Sequence, residues 1–140
     1  MTPKRVVITG LGMVTSLGND VPTNWQNLLQ GKSGAGEITH FDCTKFKTQF
    51  ACEVKDLELT GLFDPKEQRR YDRYIHLAFK SAEEAIQDAQ IDMNLEDKLR
   101  CGVIYGSGMG GIKTLDVNIG GFGAGDGTPR YSPFFIPMII

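Results

Sequence analysis

The sequence lacks any apolar run long enough to cross a bilayer, and it lacks a strong excess of either charge. It has 15 lysine and arginine residues against 17 aspartate and glutamate residues. A membrane-spanning helix needs about 20 consecutive apolar residues, and a strong positive field is what gathers nucleic acid or anionic lipid. We therefore expect no membrane and no nucleic-acid partner. Any attraction for a charged partner has to be local.

Cysteine and histidine are also scarce. Cys43, Cys52 and Cys101 are too few and too irregularly spaced for a disulfide framework, and no CxxC pair is present for zinc. A reactive thiolate needs a neighbouring base or a helix N-terminus to lower its pKa, and the sequence places neither His40 nor His76 in that relation to a cysteine. We predict structural roles for all five residues, no metal, no cofactor and a reducing, cytoplasmic location.

Two apolar runs predict buried strands. Lys4–Thr9 carries three consecutive β-branched residues and stops at Gly10, and Cys101–Tyr105 is a similar run that stops at Gly106. A shorter strand is predicted near Gln49–Val54. Since helices are predicted between these strands, the pattern indicates an α/β protein, although two or three strands are too few to complete such a sheet.

Three helices are predicted from periodicity and end signals. The first covers Pro22–Gln30, with Gly31 where a left-handed C-cap residue belongs, and another covers Ile112–Ile119. Gly120–Gly127, with five glycines in eight residues, is predicted to be a mobile loop.

The longest predicted helix begins at Asp64 and ends near Gln90. Asp64, Pro65 and Glu67 supply an N-cap, a proline at the first helical position and the carboxylate of a capping box. Seven apolar or aromatic residues then recur at intervals of three and four, which predicts a core-facing stripe. They are Tyr71, Ile75, Ala78, Ala82, Ala85, Ile86 and Ala89. The adjacent Glu83 and Glu84 point in different directions and are predicted to be a solvated face.

Four basic residues follow the same helical spacing. Lys66, Arg69, Arg70 and Arg73 fall roughly opposite the apolar stripe, so we expect them to project into solvent. Like charges this close repel one another by a few tenths of a kcal/mol per pair. Two interpretations stay open: an ordinary charged surface, or a dock for an acidic protein or a phosphate.

Glycines also form a pattern typical of dinucleotide-binding proteins. Gly106, Gly108 and Gly111 satisfy GxGxxG after a predicted strand and before a predicted helix. That fold also needs a second strand that ends in an acidic residue about 20 positions further on. The only acidic residues near that distance are Asp116 and Asp126, and neither follows a predicted strand. We therefore interpret this loop and the one at Gly10 and Gly12 as close backbone packing or as room for a ligand.

Five segments in unbroken order resemble the opening of the type II β-ketoacyl-acyl-carrier-protein synthases. They are RVVITGLGMVTSLGND at 5–20, GKSG at 31–34, KEQRRYDRY at 66–74, YGSGMGG at 105–111 and SPFFIP at 132–137. The resemblance covers residues 1–140. It implies the N-terminal, incomplete part of the first of two α/β halves in the five-layered α-β-α-β-α architecture of the thiolase-like superfamily.

The resemblance also implies functional residues. Lys66, Arg69 and Arg70 match positions at which the family docks its acidic acyl carrier protein. Met109 matches an apolar residue that acts as a gate at the floor of the acyl pocket, where many relatives carry isoleucine. Because methionine is unbranched and more flexible, we predict that its side chain changes conformation at a lower energetic cost. Phe134 and Phe135 resemble an aromatic pair that reaches a homodimer interface and lines the partner subunit's pocket; an ordinary core role for them stays open.

The implied reaction is the decarboxylative Claisen condensation that elongates fatty acids. A cysteine takes the acyl group, and two histidines assist the decarboxylation of the malonyl carrier. All three lie later in the family sequence, so we expect no catalytic residue in this chain and no activity of the 140-residue piece alone. The alternatives are a cysteine-less relative resembling a chain-length factor or a carrier-binding module, and, less favoured, a nucleotide-binding domain.

Overall fold

Helices dominate the structure, a computed structural model that describes residues 3–140. The elements in chain order are α1 (Val21–Leu29), β1 (Gly36–Glu37), β2 (Phe50–Ala51), α2 (Pro65–Gln68), α3 (Arg73–Asp88), α4 (Ile112–Ala124) and α5 (Phe135–Ile139). A single turn of 3-10 helix lies at Lys98–Arg100. The chain divides into two units. The first comprises the residues up to Glu58 with Lys80–Lys98, and the second comprises Leu59–Phe79 with Leu99–Ile140.

Local signals place α1 as predicted. The side chain of Asp20 caps the helix by accepting a hydrogen bond of 2.6 Å from the backbone N–H of Thr23, and that bond lowers the pKa of Asp20 below its ordinary value of 3.8. The stabilisation is therefore present above pH 3.8 and is lost as the pH falls through the lowered pKa. Gly31 follows the helix with φ +65°, the left-handed conformation that glycine adopts without strain.

Gly10 and Gly12 permit a close approach to α3, which agrees with their interpretation as packing residues. A Cβ atom added to Gly10 would stand 2.1 Å from the carbonyl oxygen of Ala85, and one added to Gly12 would stand 1.8 Å from that of Ser81. Such distances are far inside van der Waals contact. Any larger residue would therefore push this segment away from the helix.

The same segment is hydrogen bonded by carboxylates of α3. Asp88 Oδ2 accepts from the N–H of Leu11 at 2.9 Å. Glu84 accepts from two backbone groups, the N–H of Met13 at 2.8 Å and the N–H of Val21 at 2.7 Å. The prediction of a solvated face was therefore wrong for Glu84. Glu83 contacts Lys80 at 3.3 Å, an ordinary surface ion pair.

Replacing Glu84 with glutamine is expected to destabilise this unit by about 1–2 kcal/mol, because one of two hydrogen bonds to a charged acceptor is lost. The measurement is the free energy of unfolding from urea denaturation. The Glu83→Gln variant is the matched control and should change stability by less than about 0.5 kcal/mol, since it removes only a half-exposed ion pair with Lys80. Equal destabilisation by the two variants would contradict the bridging role of Glu84.

The two long predicted strands are not formed. In the described residues the only sheet is an antiparallel pair in which Gly36 lies opposite Ala51 and Glu37 opposite Phe50, which confirms the short strand near Gln49–Val54. Neither Lys4–Thr9 nor Cys101–Tyr105 is a strand, and the side chains of Val6 and Val103 are 91% and 93% exposed. A strand forms only where its backbone pairs with another strand, and in the described residues neither run belongs to the one sheet that is present.

The structure also corrects the prediction of one helix from Asp64 to Gln90. Asp64 does cap α2, accepting from the N–H of Lys66 at 2.8 Å, but α2 ends at Gln68 and α3 begins only at Arg73. The carbonyl of Asp72 accepts from Ile75 and His76 and so starts a new helix. Aspartate is a favoured residue at this position, and that second start signal was missed.

Two further predictions about helices need correction. The apolar stripe is not a continuous core face, because Ala82 and Ile86 are exposed and no apolar side chain of the described residues is fully buried. The glycine-rich stretch is helical as far as Ala124, instead of a loop from Gly120. Glycine costs about 1 kcal/mol in a helix relative to alanine, which disfavours a helix without preventing one. The helix packs against α5, and a Cβ atom at Gly111 would stand 2.0 Å from the Met138 carbonyl oxygen.

Among the described helices, none combines the length and the apolar character needed to cross a bilayer.

Candidate functional site

Met109 lies in a pocket of about 470 Å³ that belongs to the second unit. We call it the Met109 pocket. Its walls come from the first two turns of α3, the glycine loop before α4 and the end of α5. The lining residues are Tyr74, Ile75, Ala78, Phe79, Tyr105, Ser107, Gly108, Met109, Gly110, Ile139 and Ile140. The side chain of Met109 is 73% exposed. An open wall of apolar side chains is suited to an apolar ligand and provides few hydrogen-bonding groups.

Aromatic packing positions one wall of the Met109 pocket. The ring of Phe63 contacts the rings of Tyr71, His76 and Phe79, with centroids 5.5, 5.4 and 5.0 Å away. Such pairs add about 0.5–1.5 kcal/mol each beyond the area they bury. The hydroxyl of Tyr74 donates to the backbone carbonyl of Ile140 and links α3 to the end of the chain. This cluster therefore fixes the first turns of α3.

The glycine loop of the GxGxxG pattern forms another side of the pocket. Added Cβ atoms at Gly106 and Gly108 would meet no atom within 4 Å, and Gly108 lines the pocket. Gly110 has φ +55°, and a Cβ atom there would stand 2.4 Å from the carbonyl oxygen of Ile139. The loop thus combines both interpretations made from the sequence, with room for a ligand at its start and close packing at its end.

The basic residues of the KEQRR segment do not share one helix face. Lys66 is in α2, Arg69 is its C-cap, and Arg70 lies in the irregular segment before α3. Lys66, Arg69 and Arg70 are exposed, but Arg73 is half-buried. The helical-face argument was therefore wrong in its geometry, since it assumed an unbroken helix, whereas its expectation of exposure is met by the first three residues.

Arg70 and Phe134 lie together. The guanidinium carbon of Arg70 is 4.5 Å from the centroid of the Phe134 ring, a cation–π contact worth about 0.5–1 kcal/mol at an exposed site. Phe135 stacks on Tyr131, with ring centroids 5.3 Å apart. Neither phenylalanine lines the Met109 pocket. The structure therefore brings Phe134 to the basic segment and leaves Met109 among other side chains.

The cysteines and histidines have no arrangement that indicates nucleophilic chemistry. Cys43 is half-buried, and Cys52 and Cys101 are exposed. His76 Nε2 lies 3.0 Å from the carbonyl oxygen of Gln68, and His40 Nε2 lies 4.0 Å from Glu53. Within residues 3–140, no group of three or more histidine, cysteine, aspartate or glutamate side chains is placed to hold a metal ion.

Sequence reasoning missed several walls of the Met109 pocket. Tyr74 and Phe79 are not on the predicted stripe, yet they line the pocket beside Ile75 and Ala78, which are on it. Their spacing was a usable signal, because Tyr74 is four residues before Ala78 and Phe79 is four residues after Ile75. Positions four apart are neighbours on a helix surface. Phe63 gave no signal, because an isolated phenylalanine in a loop has no periodicity.

Comparisons with known proteins identify a family and several relatives that this chain resembles. The family described as Beta-ketoacyl synthase, N-terminal domain, matches residues 3–131. The chain is 42% identical over 137 residues to 3-oxoacyl-[acyl-carrier-protein] synthase 2 of Staphylococcus aureus (strain COL), which covers 98% of this chain and 33% of the relative. It is 43% identical over 140 residues to the protein of the same name from Coxiella burnetii (strain RSA 493 / Nine Mile phase I), covering 100% of this chain and 34% of the relative.

A solved structure shares the fold. The structure described as "The ishigamide ketosynthase/chain length factor" superposes with a TM-score of 0.73 at 27% identity, covering 96% of this chain and 33% of that one. The chain spans about a third of the length of the curated relatives it matches. With a family match that extends over nearly all of its residues, this chain belongs to the β-ketoacyl synthase family, whose N-terminal domain it matches.

Proposed function

We propose that the complete protein elongates fatty acids by decarboxylative Claisen condensation of an acyl donor with a malonyl-loaded carrier to give a 3-oxoacyl carrier. The observation that carries this proposal is the 42% identity, over 98% of the chain, to a relative named 3-oxoacyl-[acyl-carrier-protein] synthase 2. The chain then contributes the N-terminal part of the first α/β half in a five-layered homodimeric enzyme of the cytoplasm. The exposed runs around Val6 and Val103 are available for completing a sheet.

Residues of this chain bind substrates in the proposed enzyme. Lys66, Arg69 and Arg70 form the docking surface for an acidic carrier protein, supported by their exposure and by charge complementarity. Met109 gates the acyl pocket, supported by its place in an apolar pocket. Phe134 and Phe135 contribute to the pocket of a partner subunit. The Arg70–Phe134 contact would then connect the docking surface to this aromatic pair.

The 140-residue chain is proposed to be inert by itself. The thioester-forming cysteine and the two histidines of the reaction lie in polypeptide that follows these residues in the family. Incubation of the chain with an acyl-loaded carrier, followed by intact-mass spectrometry, should show no acyl adduct, whereas the complete protein should form one and release a 3-oxoacyl carrier on addition of malonyl carrier. Acylation of the isolated chain at any of its three cysteines would contradict this division of roles.

A second candidate is a chain-length factor without condensing activity. It is favoured by the likeness to a structure whose description names both a ketosynthase and a chain length factor. The two candidates differ at one position of the complete protein, where a cysteine indicates the enzyme and another residue, such as glutamine, indicates the chain-length factor. The intact-mass experiment separates them, because only the cysteine forms an acyl adduct.

A further inference from the structure

A second cleft of the same unit has three permanently charged basic side chains among its lining residues. It has a volume of about 520 Å³ and lies between the start of α3, the start of α4 and α5. We call it the basic cleft. Its permanent cations are Arg69, Arg73 and Lys113. Arg69 and Lys113 are exposed and Arg73 is half-buried.

The lining of the basic cleft has more positive than negative side chains. Among its described lining residues the one carboxylate is Asp72, which is only 8% exposed. Asp72 Oδ2 accepts from the Thr114 backbone N–H at 3.2 Å and also from the Thr114 hydroxyl. Counting only arginine, lysine and aspartate, the lining side chains carry a formal charge of +2. That surplus equals the charge of a phosphate monoester, which is about −1.5 to −2 at pH 7.

Hydrogen-bond donors and the dipole of α4 also favour a phosphate in the basic cleft. Ser132 Oγ accepts from the N–H of Phe134 at 3.1 Å, which leaves the hydroxyl hydrogen of Ser132 to donate. Lys113 and Thr114 belong to the first turn of the 13-residue helix α4, whose N-terminus carries partial positive charge. Guanidinium groups bind phosphate oxygens in pairs. Donors of these kinds suit a tetrahedral dianion.

Apolar side chains give the cleft a further wall. Val117, Phe135 and Met138 line it beside the cations, so that an organic group attached to the phosphate would gain contact. A free phosphate ion would not gain this contact.

We propose that the basic cleft binds a dianionic phosphoryl group, with Arg73 and Lys113 as the principal contacts. The group is that of an organic phosphate monoester or of free phosphate. This inference goes beyond the proposed function, because it concerns a small anion in a cleft and needs no carrier protein and no condensation. Arg69 is shared with the docking surface, whereas Arg73 and Lys113 are not part of it.

The test is a titration of the uniformly ¹⁵N-labelled chain with inorganic phosphate and, separately, with phenyl phosphate at constant ionic strength. We expect saturable shifts of the Thr114 and Asn118 amide signals, because both residues line the cleft. The Arg73→Gln/Lys113→Gln variant should bind about tenfold more weakly. The Lys45→Gln/Lys47→Gln variant removes the same charge from an exposed loop and should bind as the parent chain does.

Each outcome of the titration supports or contradicts phosphate binding in the basic cleft. Tighter binding of phenyl phosphate supports a monoester as the ligand, and equal binding supports free phosphate; both support the site. Shifts that never saturate, or that weaken equally in the two double variants, overturn it. If the Arg73→Gln/Lys113→Gln variant does not fold, Lys113→Gln alone, at an exposed position, should still weaken binding about threefold. Because no carrier is present, failure here leaves the proposed function untouched.

Discussion

We expect the Lys66→Glu/Arg69→Glu variant of the complete protein to bind an acidic acyl carrier protein roughly 30- to 100-fold more weakly. Each reversal removes an attraction of up to about 1 kcal/mol at an exposed site and adds a repulsion of similar size. Both side chains are exposed, Lys66 within α2 and Arg69 at its C-cap. Affinity would be measured by titration calorimetry at two salt concentrations.

The salt dependence of carrier affinity shows whether the effect is electrostatic. Charges at a surface are screened over about 8 Å at physiological ionic strength, so the difference between variant and parent should shrink as salt is raised. A Lys45→Glu/Lys47→Glu control changes net charge equally in another exposed segment. An affinity that falls by the same factor in this control would assign the effect to overall charge instead of to the docking surface.

Arg70 needs a separate variant, because its charge has a second role. Its guanidinium group covers the Phe134 ring, so a glutamate there removes a cation–π contact as well as a docking charge. A loss of carrier affinity in Arg70→Glu is therefore interpretable only beside its free energy of unfolding. Lys66 and Arg69 make no such contact in the described residues and give the cleaner measurement.

The second large effect is expected at Met109. We expect Met109→Trp in the complete enzyme to lower kcat/KM for long acyl donors at least about tenfold relative to short ones, because an indole ring fills space that the chain needs and each buried methylene is worth about 0.8 kcal/mol. Met109 lines a pocket of about 470 Å³. The measurement is competition between acyl donors of different length, with products separated by mass spectrometry.

The matched control for this experiment is Met93→Trp. Met93 is exposed and does not line the Met109 pocket, so the same substitution there should leave the chain-length preference unchanged. A preference that stays constant in Met109→Trp as well would remove Met109 from the acyl pocket. A similar shift in both variants would indicate a global change of the enzyme.

Signals that act over one or two helical turns were read correctly. Asp64 caps the helix predicted to follow it, and Gly31 has the left-handed backbone expected after α1. These features depend on neighbours within a few residues, so the sequence contains their partners. The same reasoning failed for the break before Arg73, where the side chain of Asp72 bonds to Thr114, 42 positions away.

The candidate site was predictable only in part. The sequence indicated that Met109 lies in a glycine loop and that Lys66 and Arg69 are exposed, since both follow from local composition. It gave no indication that Phe63 would hold Tyr71 and Phe79 in one cluster. Ring contacts of this kind are chosen by shape and packing, which no periodicity records.

By itself the sequence determined the family, the capped start of α2 and the left-handed Gly31 after α1, because each depends on local geometry or on an ordered set of motifs. Only the tertiary structure decided that Glu84 holds the segment around Met13, that Arg70 covers Phe134, and that the apolar runs around Val6 and Val103 lie outside the sheet of the described residues. The physical reason is that hydrogen bonds, ring contacts and strand pairing are made between residues far apart in the chain. A sequence pattern can specify which groups need partners without specifying which partners they find.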